Sequence, residues 1–221
     1  MHTEERRDIK LNLADVAVFG DFALPPYPRG LVIFVHGSGS SRHSSRNRLV
    51  AGYLQQRGFA TLLFDLLSEE EDEDRAARFD IPRLTRRLLE VTAETSRMKL
   101  VPKHLPIGYF GASTGAAAAL IGAAGLGLGI AAVVSRGGRP DLAMQALDQV
   151  HCPTLLIVGG NDHEVIRLNR LAYSKLPGIK QLSIVPGASH LFEEPGTLEN
   201  VALLAGDWFV RYCVRDEDRL D

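Results

Sequence analysis

Cysteine is scarce in this chain of 221 residues, which contains only Cys152 and Cys213. Two isolated cysteines cannot build the disulfide framework of a small secreted domain, so a reducing cytoplasmic compartment is expected. The sequence also lacks the His-Glu-x-x-His and Cys-x-x-Cys patterns that indicate metal or redox sites. We therefore expect the chain to function with neither a metal ion nor an organic cofactor.

A strong excess of charge is absent as well, because 25 Lys and Arg residues face 27 Asp and Glu residues, for a net charge of −2. This balance gives no electrostatic support for nucleic-acid binding. Glycines interrupt the most apolar region, 111–134, which predicts a helix, a turn and a strand rather than a membrane span. The charged segment 1–10 has no apolar stretch typical of a signal peptide.

Alternating strand-like and helix-like segments are what the sequence does have. They predict one α/β domain over residues 1–221, with a mostly parallel central sheet and helices on both faces. Between the predicted strands 130–135 and 154–158 there is room for one short helix, so no substantial cap is expected over the site. The acidic segment 68–74 is expected to be a solvated loop, and Arg83, Arg86 and Arg87 are expected on the solvent-facing side of a helix over 82–98.

The most informative motif is Gly111-Ala112-Ser113-Thr114-Gly115, which follows an apolar run and precedes an alanine-rich one. Strand, G-x-S-x-G and helix in that order are typical of a nucleophile elbow, in which the serine hydroxyl projects above the sheet. Glycines on either side leave room where the strand and the helix pass close together. The alternative is a glycine-rich connection whose serine only caps the helix.

A serine nucleophile needs a base, and the base needs an anion that holds its tautomer. His190 lies on a glycine-containing loop after the last predicted strand, and Asp162 follows the strand before that one. This order, Ser113, Asp162, His190, matches a Ser-Asp-His triad built from loops at the carboxyl ends of parallel strands. Two alternatives stay open for the acid: Asp162 is a helix cap, or Glu164 takes the role.

The turn His36-Gly37-Ser38-Gly39-Ser40 follows the first fully apolar strand. Its small residues let backbone amides approach a substrate carbonyl, so the Ser38 and Thr114 N–H groups are the predicted oxyanion donors. The turn does not satisfy the G-x-x-x-x-G-K-[ST] or G-x-G-x-x-G phosphate-binding patterns. His36 itself is expected to support the loop.

Together these residues resemble the α/β-hydrolase superfamily, and the turn, the chain length and the missing cap are most similar to its dienelactone-hydrolase-like branch. The resemblance covers nearly the whole chain. It implies an α/β-hydrolase fold with Ser113, Asp162 and His190 as nucleophile, acid and base. Dienelactone hydrolases carry cysteine at the elbow, whereas this chain carries Ser113, which favours a carboxylesterase-type reaction.

Arg136 and Arg139 follow the strand after the elbow helix and should reach the same sheet edge. Either could bind a substrate carboxylate, although a turn in which arginine pairs with a nearby carboxylate is the simpler interpretation. We expect a serine hydrolase acting on small or short-acyl esters, without nucleic-acid or membrane partners. A homo-oligomer is compatible with the sequence. A thioesterase or acyl-transferase with the same triad, and a non-catalytic binding protein of this fold, remain alternatives.

Overall fold

A single central sheet organises the computed structural model, which describes residues 5–102 and 105–214. Within that part of the chain the sheet has eight strands in the order β1-β2-β4-β3-β5-β6-β7-β8. The strands are β1 (Glu5–Asn12), β2 (Ala17–Leu24), β3 (Gly30–Val35), β4 (Phe59–Phe64), β5 (Ile107–Ala112), β6 (Ala132–Arg136), β7 (Thr154–Gly159) and β8 (Lys180–Val185). Segment 1–10, for which no signal peptide is expected, is described only from residue 5 onward.

The strand directions follow from the connections between the strands. β1 and β2 pair antiparallel, and β2 pairs antiparallel with β4. Every other neighbouring pair, from β4 through β3 to β8, is parallel. The inner parallel strands are apolar on both faces because helices cover both sides, as the continuous buried runs of β3 and β4 show.

Seven helices flank the sheet in the described part of the chain. They are α1 (Ser45–Gln56), α2 (Glu69–Glu73), α3 (Arg75–Arg78), α4 (Ile81–Arg97), α5 (Thr114–Leu126), α6 (His163–Lys175) and α7 (Thr197–Tyr212). Buried side chains of α1 and α7 belong to one core cluster, whereas those of α4, α5 and α6 belong to a second cluster. The predicted mostly parallel sheet with helices on both faces is therefore confirmed.

The acidic segment differs from its prediction. Instead of a solvated loop it forms the short helix α2, with a capping box between Ser68 and Glu71. Arg87 was expected to face solvent, yet its side chain is 1% exposed and bonds to Glu71, Asp15 and the Leu66 carbonyl. The sequence pattern misleads here because a guanidinium can be buried when carboxylates reach it from two other segments.

The connection between β6 and β7 contains two short 3-10 turns, Pro140–Ala143 and Leu147–Gln149, where one short helix was expected. Pro140 begins the first of these turns. Short 3-10 turns of this kind are frequent as connectors between longer elements. No cap is inserted in this connection, in agreement with its length. Among the described residues, no helix is long and apolar enough to span a bilayer.

Candidate active site

Ser113 lies between β5 and α5 in a strained backbone conformation. Its φ of 50° and ψ of −122° lie in a region that residues with a Cβ rarely adopt. Its side chain makes no capping hydrogen bond to α5, so the interpretation of Ser113 as a helix cap is not what the structure shows. Strain of this kind needs surrounding contacts to maintain it, and Ser113 has them: its N–H donates to the Arg136 carbonyl at 3.2 Å.

Close packing at the elbow explains the two glycines of the motif. A Cβ on Gly111 would stand 2.5 Å from the Ala116 Cα, and a Cβ on Gly115 would stand 2.2 Å from the Val35 oxygen. Real Cβ atoms do not come so close to backbone atoms. Any larger residue at either position would therefore force the strand and the helix apart and displace Ser113.

Asp162 and His190 form a hydrogen-bonded pair. The two residues come from the loops after β7 and β8, and His190 Nδ1 lies 2.6 Å from Asp162 Oδ2. Asp162 occupies the cap position of α6, but its side chain makes no capping bond there. The carboxylate is thus committed to the imidazole, which fixes the proton on Nδ1 and leaves Nε2 as the acceptor.

Ser113 and His190 reach the same end of the sheet without touching through a hydrogen bond. Both residues belong to the described part of the chain, and no bond between the serine hydroxyl and the imidazole is found there. Catalytic hydrogen bonds are commonly long before substrate binds. Gly137 follows Arg136, whose carbonyl accepts from the Ser113 N–H. It lies so near the imidazole that a Cβ on Gly137 would be 3.6 Å from His190 Cε1.

Glu164, the alternative acid, points elsewhere. It forms an exposed ion pair with Arg167 at 2.7 Å, one turn along the same helix. That hydrogen bond holds the pKa of Glu164 below its ordinary value. The structure therefore brings Asp162, and not Glu164, to the histidine.

The turn after β3 is supported by His36, as expected. The buried imidazole accepts from the Leu66 N–H at 3.0 Å, and its Nδ1 lies 2.9 Å from the Gly37 carbonyl. An acceptor role for Nε2 places the proton on Nδ1, where it donates to that carbonyl. Burial lowers the pKa of His36, which keeps the ring in the neutral form that these two bonds require.

The two predicted oxyanion amides are linked through a side chain. The Ser38 N–H donates to Thr114 Oγ1 at 2.9 Å, which ties the turn to the start of α5. The Thr114 N–H is the first of its helix and therefore has no intrahelical acceptor. Both amides thus belong to segments that adjoin Ser113, and the Ser38 amide is bonded to the threonine hydroxyl.

The two candidate substrate-binding arginines differ sharply. Arg139 makes two 2.8 Å hydrogen bonds to Asp141, which is the simpler arrangement considered for this turn. Arg136 is buried, and within the described part of the chain its side chain makes one hydrogen bond, a 3.4 Å contact from Nη2 to Asn47 Oδ1. Its guanidinium carbon also lies 5.9 Å from the ring centre of Phe192. Among the residues that the structure describes, no carboxylate pairs with Arg136.

Two residues near the site were not predicted from the sequence. Phe192 is buried at a φ of 57°, a conformation unusual for a bulky side chain, and it anchors the loop that carries His190. Glu194 accepts from the Ser189 N–H at 3.0 Å and fastens the other side of the same loop. Neither a positive φ nor a side-chain bond across a loop has a reliable signal in a single sequence.

Comparison with known proteins assigns the family. The family model described as Dienelactone hydrolase family matches residues 20–203. The chain belongs to the dienelactone hydrolase family. A crystal structure of a dienelactone hydrolase from Anabaena variabilis is similar, with a TM-score of 0.93, 50% identity, and coverage of 97% of this chain and 100% of that one. The predicted family and fold are thereby confirmed, and a hydrolase is supported.

More distant structures share the fold alone. Est1E from Butyrivibrio proteoclasticus has a TM-score of 0.79 at 15% identity and covers 92% of this chain and 98% of its own. The esterase domain of a Rhodothermus marinus protein has a TM-score of 0.75 at 18% identity and covers 95% of this family member and 100% of its own chain. These similarities support the fold, and they indicate no substrate for this chain.

A curated relative from Mycobacterium tuberculosis is provisionally named a phosphoribosyl transferase. It is 56% identical over 203 residues, which make up 92% of this chain and 46% of that protein. The chain therefore spans about half the length of this relative. The other half of the relative has no counterpart in the residues compared.

Proposed function

We propose that this member of the dienelactone hydrolase family is a serine hydrolase that cleaves carboxylic esters of small or short-acyl substrates. Ser113 is the nucleophile, His190 the base and Asp162 the acid of the proposed triad. The observation that carries the proposal is the 2.6 Å bond from Asp162 to His190 at the sheet edge where the strained Ser113 projects. A carboxylate at imidazole Nδ1 beside an elbow serine is the arrangement that acyl transfer needs.

The reaction begins when His190 Nε2 takes the hydroxyl proton as Ser113 Oγ attacks the ester carbonyl carbon. The tetrahedral intermediate then collapses, the bond to the leaving oxygen breaks, and the imidazolium returns its proton to the departing alcohol. A water molecule repeats the sequence on the acyl-enzyme and releases the acid. Asp162 stays ionised throughout and stabilises the imidazolium in both halves.

The carbonyl oxygen becomes negatively charged in each tetrahedral intermediate, and backbone amides are proposed to stabilise it. The Thr114 N–H is available at the start of α5, where the helix dipole also favours negative charge. The Ser38 N–H is engaged by Thr114 Oγ1. We propose that this amide is shared with the oxyanion when substrate is bound.

The name of the Mycobacterium tuberculosis relative is not transferred to this chain. The matched 203 residues are 46% of that protein, and they overlap the part that the hydrolase family model describes. Phosphoribosyl transfer in the relative is therefore best sought in its unmatched half.

The deciding experiment combines turnover with covalent labelling. Wild-type protein and Ser113→Ala are compared on p-nitrophenyl acetate, and both are treated with a fluorophosphonate that modifies activated serines. We expect serine-dependent hydrolysis and labelling of Ser113 only. Labelling without ester turnover would point to another acyl donor, such as a thioester, whereas folded protein that neither labels nor hydrolyses esters would contradict the proposal.

A further inference from the structure

The backbone of Ser113 is held on both sides by one loop, residues 136–139, which we call the clamp loop. The Ser113 N–H donates to the Arg136 carbonyl at 3.2 Å, and the Ser113 carbonyl accepts from the Arg139 N–H at 3.0 Å. A conformation as strained as that of Ser113, with its φ of 50°, persists only where the surroundings enforce it. The position of the clamp loop therefore decides whether the serine keeps its conformation.

The clamp loop is packed tightly against the sheet and the elbow helix. Its Gly137 N–H donates to the Ile157 carbonyl of β7 at 2.8 Å. A Cβ on Gly138 would stand 2.0 Å from Ser135 Oγ and 2.6 Å from the Cβ of Ala116 in the first turn of α5. Because the loop has so little room to move, the Gly138 carbonyl needs a hydrogen-bond donor at the place where it lies.

Asn169, in the second turn of α6, supplies this donor. Its Nδ2 donates to the Gly138 carbonyl at 3.0 Å and to the Val165 carbonyl of its own helix at 2.8 Å. The side chain is fully buried, so water does not compete for these bonds. Helix α6 begins directly after Asp162, the partner of His190. One helix thus connects the acid of the candidate triad with the loop that holds the nucleophile.

Stability alone does not favour asparagine at position 169. The Oδ1 of Asn169 is enclosed and has no hydrogen-bond partner among the described residues. A buried acceptor without a partner lowers the stability of the folded protein. Leucine has a similar size and would remove this unsatisfied oxygen, at the cost of the bond to Gly138. The asparagine is therefore explained by what its N–H groups hold, and the group they hold outside α6 is the clamp loop.

We propose that Asn169 is a positioning residue for Ser113: it fixes the clamp loop through the Gly138 carbonyl, and the loop fixes the serine backbone from both sides. Asn169 touches neither the hydroxyl nor the imidazole, and it acts only through the loop. A displacement of about 1 Å at a reacting group can lower turnover about 10²-fold. The role of Ser113 as nucleophile rests on the proposed function, whereas the hold of Asn169 on the loop is measurable without catalysis.

The first test is amide hydrogen exchange, followed by NMR in the wild-type protein and in Asn169→Leu. The N–H groups of Ser113 and Arg139 are the two that join the clamp loop to the elbow. We expect both to exchange about tenfold faster or more in the variant, because the loop opens more easily without its bond to Asn169. The amides of β3 should keep their rates. Unchanged exchange at Ser113 and Arg139 would overturn the proposal.

The second test is kinetic and separates positioning from stability. On p-nitrophenyl acetate, Asn169→Leu should lower kcat about tenfold or more and leave KM nearly unchanged. Its unfolding temperature should stay within about 4 °C of the wild-type value, since one bond and one unsatisfied acceptor are lost together. Thr95→Val is the matched control, because it removes a buried 2.7 Å bond from Thr95 Oγ1 to the Thr92 carbonyl within α4. Wild-type kcat in Asn169→Leu, or an equal loss in Thr95→Val, would overturn the proposal.

The pH dependence of kcat distinguishes the clamp loop from the other end of α6. The pH profile of Asn169→Leu should keep its wild-type midpoint, because the bond between Asp162 and His190 is left in place. A shifted midpoint would show that the substitution acts through Asp162 and not through Ser113. That outcome would also overturn the proposal.

A measurement on the wild-type protein alone decides the case if Asn169→Leu fails to fold. The Nδ2 protons of Asn169 should be protected from exchange, and over a series of low urea concentrations they should be released in the same opening as the Ser113 and Arg139 amides. Unprotected Nδ2 protons beside protected amides would overturn the proposal. If the wild-type protein hydrolyses no ester, the proposed function fails, and the exchange data still decide whether Asn169 holds the loop.

Discussion

At the scale of single residues, Asp162 shows how far chain order can go. Its place between the last two strands predicted a triad acid, and the structure turns its carboxylate away from the helix end and toward His190. The order of Ser113, Asp162 and His190 along the chain was readable because each follows a strand. The Ser38–Thr114 bond and the positive φ of Phe192 were not, because both depend on contacts between distant segments.

The proposed triad predicts a strongly non-additive loss of activity. Ser113→Ala and His190→Ala should each lower kcat by about 10⁴-fold or more, and the double variant should lose little beyond that, because the residues act as one unit. Asp162→Asn should be severe but milder, measured on p-nitrophenyl acetate. Glu164→Gln is the matched control, since Glu164 pairs with Arg167. A crippled Glu164→Gln beside a nearly normal Asp162→Asn would reverse the acid assignment.

A second prediction at this scale concerns the hydroxyl of Thr114. It holds the Ser38 amide, so Thr114→Val should displace the oxyanion turn and lower kcat by about fivefold to tenfold, the effect of one lost hydrogen bond. KM should change little, since the ground-state ester needs no oxyanion donor. Thr114→Ser keeps the hydroxyl and should restore most of the activity. An unchanged kcat in Thr114→Val would show that the bond does not position the turn.

At the scale of secondary-structure elements, strand and helix boundaries were predictable to within a few residues wherever apolar runs were long. The acidic stretch that became α2 was not, because its stability comes from tertiary contacts. A five-residue helix rich in Glu and Asp has little intrinsic stability. Its Glu71 side chain reaches Arg87 on α4, and that ion pair fixes the segment beside the turn that carries His36.

The Glu71–Arg87 pair predicts an acid-sensitive stability. The hydrogen bond from Arg87 lowers the pKa of Glu71 to about 2, from an ordinary value of 4.5. Between these values the unfolded chain binds more protons, so this contribution is complete above about pH 4.5 and is lost as the pH falls toward 2. Glu71→Gln should destabilise the protein by about 2 kcal/mol at pH 7 and flatten that acid slope.

Urea unfolding at pH 7 and pH 3.5 measures both effects. Glu70→Gln is the control, because it removes a neighbouring exposed carboxylate from the same short helix. The two variants should differ clearly at pH 7 and converge as the pH falls. Equal stability of Glu71→Gln and Glu70→Gln at pH 7 would mean that the ion pair with Arg87 contributes nothing measurable.

At the scale of the whole molecule, the absent cap follows from the short connection between β6 and β7. A cleft of about 820 Å³ borders the turn after β3 on the side of Ser40 and Ser41, and it is lined by polar and charged groups together with a few apolar side chains. Ser113 and His190 are not among its lining residues. The lining includes Phe19, Ser40, Ser41, Asp65 and Glu70. The length of the connection was readable from the sequence, whereas the mixed lining was not, because it joins β2, the turn after β3 and α2.

A site without a cap predicts weak dependence of kcat/KM on acyl-chain length. Burying one methylene group is worth about 0.8 kcal/mol, which would raise kcat/KM about fourfold for each carbon held in an apolar channel. From acetate to butyrate, we expect kcat/KM on p-nitrophenyl esters to rise by less than fourfold for each added methylene. From butyrate to decanoate we expect no further rise. The rate of Ser113→Ala on the same series gives the background, which is subtracted from the wild-type rate. A steady fourfold gain per methylene up to decanoate would reveal an enclosed acyl channel and contradict the short-acyl preference.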